Sequence, residues 1–518
     1  MKKVKRSSTL ALAFSLLACG AAQAEWIKSY GTINNEFGSV TPSPKGGYYL
    51  SAVSTPKASG SKSVALFSLL NLNGKPLWTK KITSGAYDFF SLSELSDGRV
   101  LLSGITKLSA SGLNNPVWAV YNVNRTTGAL SPVFRKTYNG KADDQLFITQ
   151  DSQGILWGTG TTTSFSLDGK GTDMIVAKIN PTTGAPVWSK VYHNNYRDSI
   201  AAFIPKGDKF ILLANAGPNA NNQKILLGLL NNLGAPVAGS FKQYGGTGIN
   251  SAINIKPISG GNYLVYGVNK TSATDQNSTI FVIKLSANLS YVWGKKYAAG
   301  SDQSLSISDI SQNADGSFTL TGSLTTTIYF SGFPVGAENH PNAIKISSTG
   351  TIISSKSFEY QEMDTANFSK NPDNSYLLSG QTMAFDLSGG SVPNLDALYG
   401  HFSTDFAQDW VKTLGGSSFD MGFVTPEATG YRLSGSTSSW GAGNMDVLAG
   451  KLDANGDVPG CPHISEVSMI ETAPKITVSN LNWQAQAATL VKKGAITNTD
   501  ITLNVTDGTI KATNVCIH

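Results

Sequence analysis

Large apolar side chains alternate with polar ones in short runs along most of the chain, and the runs recur. Stretches such as DGRVLLSG, GGNYLVYG, DGSFTLTG, DNSYLLSG and TGYRLSG carry their apolar groups at every second position. A period of two covers one face of a β-strand, whereas a helix would need a period near 3.6. Each run ends on a small residue: Ala52, Gly104, Gly160, Ala214, Gly267, Gly322, Gly380 and Gly435. Four and two positions earlier stand pairs such as Tyr48 and Leu50, Phe318 and Leu320, or Tyr376 and Leu378. A small residue in a strand lets a neighbouring backbone approach closely.

A second phrase, aromatic-x-Lys-x-Tyr-Gly, begins at Trp26, Trp78, Phe134, Trp188, Phe241, Trp293 and Trp410, with a degenerate copy at Ser354-Ser355-Lys356. A third strand follows each small-residue strand, as in VALFSLL, DMIVAKIN and DVLAGKLD, often before a turn such as Asn73-Gly74 or Asn455-Gly456. With one further strand per repeat, such as FFSLSEL, this gives four short antiparallel strands in about 54 residues, the content of a propeller blade. The expected fold is all-β: an eight-bladed β-propeller over residues 25–460, with seven blades as the alternative. Because the chain starts on a lone aromatic-Lys strand, residues 26–31 are expected to pair with 446–453 and shut the ring. Lysines of the phrase are expected on blade edges, where charge discourages pairing.

The pattern W-x-K-x-Y-G-G, D-G-x-Y-x-L-x-G-x-T and D-x-x-x-x-K-L-D-x-N-G, fullest in residues 410–456, resembles secreted bacterial propeller-like repeat proteins of mostly unassigned function. The resemblance covers nearly all of the chain after residue 24 and implies a fold, since repeat motifs do not specify activity. Ser354 departs from it. Residues 461–518 read as a small β appendage clipped by a disulfide between Cys461 and Cys516, which stand 55 positions apart without metal or redox spacing.

Residues 1–24 have the three parts of a secretory signal peptide: Lys2 to Arg6, the apolar Leu10–Ala18, and Ala22-Gln23-Ala24. The alternative is a lipobox at Leu16-Leu17-Ala18-Cys19, which would put a lipid anchor on Cys19. The expected location is therefore exported, periplasmic or extracellular, or membrane-anchored in the lipoprotein case. Beyond residue 24 the chain holds 36 basic against 34 acidic residues, so no concentrated basic footprint supports nucleic-acid binding. No segment is long and apolar enough for a transmembrane span.

Chemistry is scarce. His193, His340, His401, His463 and His518 form no metal spacing, and no GxSxG, P-loop or dinucleotide fingerprint is present, so no catalytic, cofactor or metal residue is assigned. Asp453–Asp457 is read as a hairpin turn, lacking the terminal Glu of a calcium loop. SQNADGSF (Ser311–Phe318) is close to an Asp-box turn. The longer second-to-third connections gather at one end and carry Phe330, Phe333, Phe385 and Trp440, a candidate ligand surface opposed by the reading that these rings fill gaps between blades. The functional expectation is a non-enzymatic scaffold that binds protein or polysaccharide. The alternative is a periplasmic propeller enzyme, quinone-dependent or glycan-acting.

Overall fold

A computed structural model describes residues 25–517 except 57–61, 85–86, 108–111, 139, 141, 167–170, 195–196, 276, 331–332, 361–362, 384–394, 482, 484 and 494–497. Residues 1–24, and with them Cys19, lie outside the described residues, as do Phe385 and His518. The only helical element among the described residues is a single 3-10 turn at Ser259–Gly261, and no helix is long and apolar enough to cross a membrane. Everything else regular is strand.

Among the described residues, strand pairing gives eight units of four antiparallel strands. The first comprises Asn35–Pro42, Tyr48–Thr55, Val64–Leu70 and Pro76–Thr83, each paired with the next. Six similar units follow it. The eighth takes Asp420–Pro426, Tyr431–Thr437 and Asp446–Leu452 from the back of the chain and Trp26–Gly31 from its front. Trp26 stands opposite Lys451 and Tyr30 opposite Val447, so the two ends of the repeat region close on each other as the repeat register requires.

The small-residue column has the expected cause. A Cβ on Gly160, Gly322 or Gly435 would lie 1.9, 2.0 or 1.8 Å from a carbonyl oxygen of the unit's first strand. The aromatic-Lys-Tyr phrase is an inter-unit fastener. Trp26 Nε1 donates to Leu72 O at 3.0 Å and Tyr30 Oη donates to Gly74 O at 2.6 Å, both in the turn of the next unit. Trp188 and Tyr192 repeat this on Asn232 and Gly234, and Trp293 and Tyr297 on Ser348 and Gly350. The ring sits on a turn glycine: a Cβ on Gly234, at φ 71°, would meet the Trp188 ring at 2.6 Å. At the degenerate copy the sizes are exchanged. Ser354 replaces the ring, and Phe406, at φ 64°, replaces the glycine and stacks on Tyr376 at 4.2 Å. A cavity of about 660 Å³ remains there, lined by Ser354, Phe406, Lys345, Lys356 and Asp405 among others.

The tail corrects the expectation of an appendage. Its short strands run antiparallel along the outer edge of every unit in reverse order. Ile464–Val467 pairs with the seventh unit, Ile470–Thr472 with the sixth, Thr477–Asn480 with the fifth and Gln486–Ala487 with the fourth. Val491–Lys493, Thr499–Asp500 and Asn504–Asp507 continue on the third, second and first, and Lys511–Ile517 finishes on Trp26–Gly31 of the eighth. Cys461, where this strap leaves the eighth unit, is disulfide-bonded to Cys516, where it returns. The lysines are corrected with it, because they hold a fifth strand instead of repelling one. Lys80 pairs with Asp507 at 2.5 Å, Lys136 with Asp500 at 2.7 Å and Lys356 with Glu471 at 3.1 Å, and Lys295 Nζ donates to Asn480 Oδ1 at 2.6 Å.

Candidate functional site

Ten residues after the aromatic position stands a polar residue that the sequence reading passed over: Glu36, Asp88, Asp144, Asp198, Asp364 and Asp420, with Asn250 at nine. All seven are buried at the start of a unit's first strand. Glu36, Asp88, Asp198, Asp364 and Asp420 each accept a backbone N–H of the incoming loop and so tie it to the unit. Asp88 takes Ser84 N–H at 2.8 Å, Thr83 Oγ1 at 2.9 Å and Thr106 Oγ1 at 2.7 Å. Asp420 takes Gly416 N–H at 2.9 Å, Thr437 Oγ1 at 2.5 Å and Ser439 Oγ at 2.6 Å. Such donors satisfy a buried charge. The spacing of ten was the available signal.

At three seams a second acid, at the start of the preceding unit's third strand, approaches this one. Between the third and fourth units Asp173 meets Asp198 with His193 between them, Nδ1 lying 2.8 Å from Asp173 Oδ1 and 3.9 Å from Asp198 Oδ2. These three bring their ligand atoms within 4.8 Å of one another, a metal-capable grouping that the sequence reading did not assign. Between the seventh and eighth units Asp396 meets Asp420, and between the eighth and first Asp446 meets Glu36.

Of the six acids at these seams, Asp396 alone is not fully buried. Asp396 is half-buried and its Oδ1 has no hydrogen-bond partner. Burial, then repulsion from Asp420, raises its pKa above the ordinary carboxylate value. Asp420 is raised by burial against the pull of its donors. Gly415 abuts Asp396, since a Cβ there would lie 2.0 Å from Oδ1, and its N–H donates to His463 O at 3.2 Å. Trp440 stands over Gly416 and packs against the His463 ring at 5.0 Å. Of the rings singled out from sequence, Trp440 thus falls beside this carboxyl pair. Phe330 and Phe333 are cross-strand partners at the ends of two paired strands, with side chains outside the described residues.

Two other groupings are structural. His401 Nε2 lies 3.0 Å from Ser375 Oγ and its Nδ1 2.7 Å from Asp409 Oδ2, an outline of a serine nucleophile with its base and orienting acid. Ser375 Oγ, however, donates to Asp373 at 2.6 Å and accepts from Asn371 at 2.8 Å. The Asn313–Asp315–Ser317 turn of the preceding unit, within the Asp-box-like stretch, makes the same bonds, and there Lys345 reaches Asp315 at 3.1 Å. The serine is therefore a turn fastener. Asp453 Oδ1 likewise accepts the N–H groups of Asn455 and Asp457 at 2.8 Å, as a hairpin turn does. A cleft of about 430 Å³ between the third and fourth units is lined by Phe147, Trp157, Phe203 and Phe210, with Gln145 and Thr149.

No protein-family model and no curated protein matches the chain. Solved structures similar to it include the polysaccharide lyase Uly1, at TM-score 0.39 and 10% identity, covering 71% of this chain and 90% of that one. Others are the family 43 glycoside hydrolase YxiA of Bacillus licheniformis, at TM-score 0.23 and 11% identity over 81% and 99%. The exo-beta-1,3-galactanase 1,3Gal43A of Clostridium thermocellum gives 0.25 and 9% over 85% and 99%. By their names these neighbours are glycan-acting enzymes, the class given above as the alternative and not the non-enzymatic scaffold expected from the sequence. At such TM-scores they transfer no role to any residue of this chain.

Proposed function

We propose that the chain is an exported, eight-bladed propeller that acts on a polysaccharide, with Asp396 as its proton-donating carboxyl. The observation that carries this reading is the state of Asp396: half-buried, unpartnered at Oδ1 and set beside a second acid, so that it keeps its proton to higher pH than a free aspartate. A carboxyl tuned in this way protonates the departing oxygen when a glycosidic bond breaks. Asp420, held by Gly416, Thr437 and Ser439, is a positioning residue that maintains that tuning. Trp440, half-buried beside His463, is the ring on which a sugar would stack. The aromatic cleft of Phe147, Trp157, Phe203 and Phe210 suits a further sugar contact away from the reacting bond.

The test is a panel of neutral and acidic polysaccharides assayed for new reducing ends or unsaturated ends. Asp396→Asn is expected to lower kcat by at least ~100-fold with KM little changed, as removal of a general acid does. Trp440→Ala is expected to raise KM. A polysaccharide cleaved equally well by Asp396→Asn would overturn the assignment.

A further inference from the structure

The three acid-acid seams are the same place in the repeat, yet they are neutralised differently. Between the third and fourth units the protein supplies its own partner, His193, five residues after Trp188. Five residues after Trp26 the closing seam has Gly31, and a Cβ there would lie 1.9 Å from Asp446 Oδ1. The position that carries an imidazole at one seam is empty of side chain at the other. Glu36 and Asp446 are nonetheless 0% and 1% exposed, more deeply enclosed than Asp396. Two buried like charges without a counter-charge are strongly unfavourable. The described residues form no ion pair with either of them; Lys511, opposite Gly31 on the strap, is exposed.

The Glu36 and Asp446 carboxyls lie within side-chain hydrogen-bonding reach of each other. Asp446 Oδ2 accepts Ala442 N–H at 2.7 Å, while its Oδ1 is buried without a hydrogen-bond partner. Gly443 packs against both this Oδ1 and the carbonyl oxygen of Asn34, since a Cβ there would lie 2.9 Å from the first and 2.0 Å from the second. Glu36 is oriented by Thr32 N–H at 2.9 Å, Thr32 Oγ1 at 2.5 Å and Ser54 Oγ at 2.7 Å. Two carboxylates and a backbone carbonyl, with no nitrogen or sulfur donor, are the ligand set of a hard divalent cation.

We propose that Glu36, Asp446 and the Asn34 carbonyl bind a calcium-type cation that joins the front of the chain to its back. Its place explains its use. Glu36 opens the first unit and Asp446 starts the last third strand, so the ion would span the one seam whose two sides come from opposite ends of the repeat region. A proton shared by the two carboxyls is the competing occupant: burial and Glu36 raise Asp446 to about 6. The inference is independent of the catalytic reading, which concerns the neighbouring seam.

The experiment is scanning calorimetry of EDTA-stripped protein at pH 7.5, with CaCl2 or MgCl2 added, paired with calcium titration calorimetry. Calcium at about a hundredfold excess over Kd is expected to raise Tm by roughly 2–3 °C. That rise should vanish in Asp446→Asn and in Glu36→Gln and persist in Asp396→Asn; two variants guard against one of them failing to fold. An undiminished rise in both seam variants, or a wild type indifferent to calcium but stabilised on lowering the pH from 7.5 to 5, would overturn the cation and leave the shared proton.

Discussion

The four-stranded units and the strap around them are both β-structure, but different forces hold them. In Asp446–Leu452 every residue is buried, and such strands stack into continuous apolar layers from unit to unit. In the strap, Thr477–Asn480 and Gln486–Ala487 are exposed throughout, and inward anchors are sparse, about one for every two units: Leu481, Leu490, Leu503 and Cys516. The units gain stability from area removed from water. The strap gains it from ladder hydrogen bonds, lysine-to-acid pairs and covalent closure. Strands too short to fold alone therefore persist by covering edges that would otherwise invite association.

The largest expected effect comes from opening the strap. Replacing Cys461 and Cys516 together by serine removes a loop constraint worth about 4 kcal/mol on the chain-entropy model. The loss should fall on the strap, seen as early tail release in limited proteolysis before the main thermal transition. The counterpart in the units is Asp88→Ala, which strands Ser84 N–H, Thr83 and Thr106. It should cost about 3 kcal/mol and lower the main transition itself, since buried donors are left unsatisfied. Leu503→Ala is smaller, about 2 kcal/mol, because the strap can settle into the space left. It should shift strap release alone. Smallest is Lys136→Ala, whose pair with the exposed Asp500 should be worth under about 1 kcal/mol and be screened by salt. If Asp88→Ala loosened only the tail, or the cysteine variant moved the whole transition, the division between the two regions would fail.

Much of the repeat body was legible because its strands obey one rule: large groups at alternate positions and a small residue where the first strand's carbonyl crosses. The closure of Trp26–Gly31 on Asp446–Leu452 followed from register, and the Cys461–Cys516 bridge from the two cysteines left beyond residue 24 in a chain expected to be exported. The strap was not legible. Its strands are two to seven residues long, too short to show a period, and their partners are edges lying far away in sequence. Reading Lys80, Lys136 and Lys356 as guards against pairing was reasonable for a bare edge; their acidic partners Asp507, Asp500 and Glu471 lie more than a hundred residues away. The buried acids were visible as a ten-residue interval but resembled ordinary loop polarity. The Asp396–Asp420 pair needed the three-dimensional seam, since 24 positions separate the two. No known motif marks this site, because it is made by the repeat geometry itself.

The central claim, that one disulfide-closed tail forms the fifth strand of every unit, is tested most directly by residue-resolved hydrogen exchange on the oxidised protein. Slow exchange is predicted in all eight strap segments from Ile464–Val467 to Lys511–Ile517, and on the outer strands that pair with them, such as Lys81 and Ile82. A tail whose amides exchange at the rate of an unstructured peptide, with those outer strands no better protected than a free edge, would contradict it.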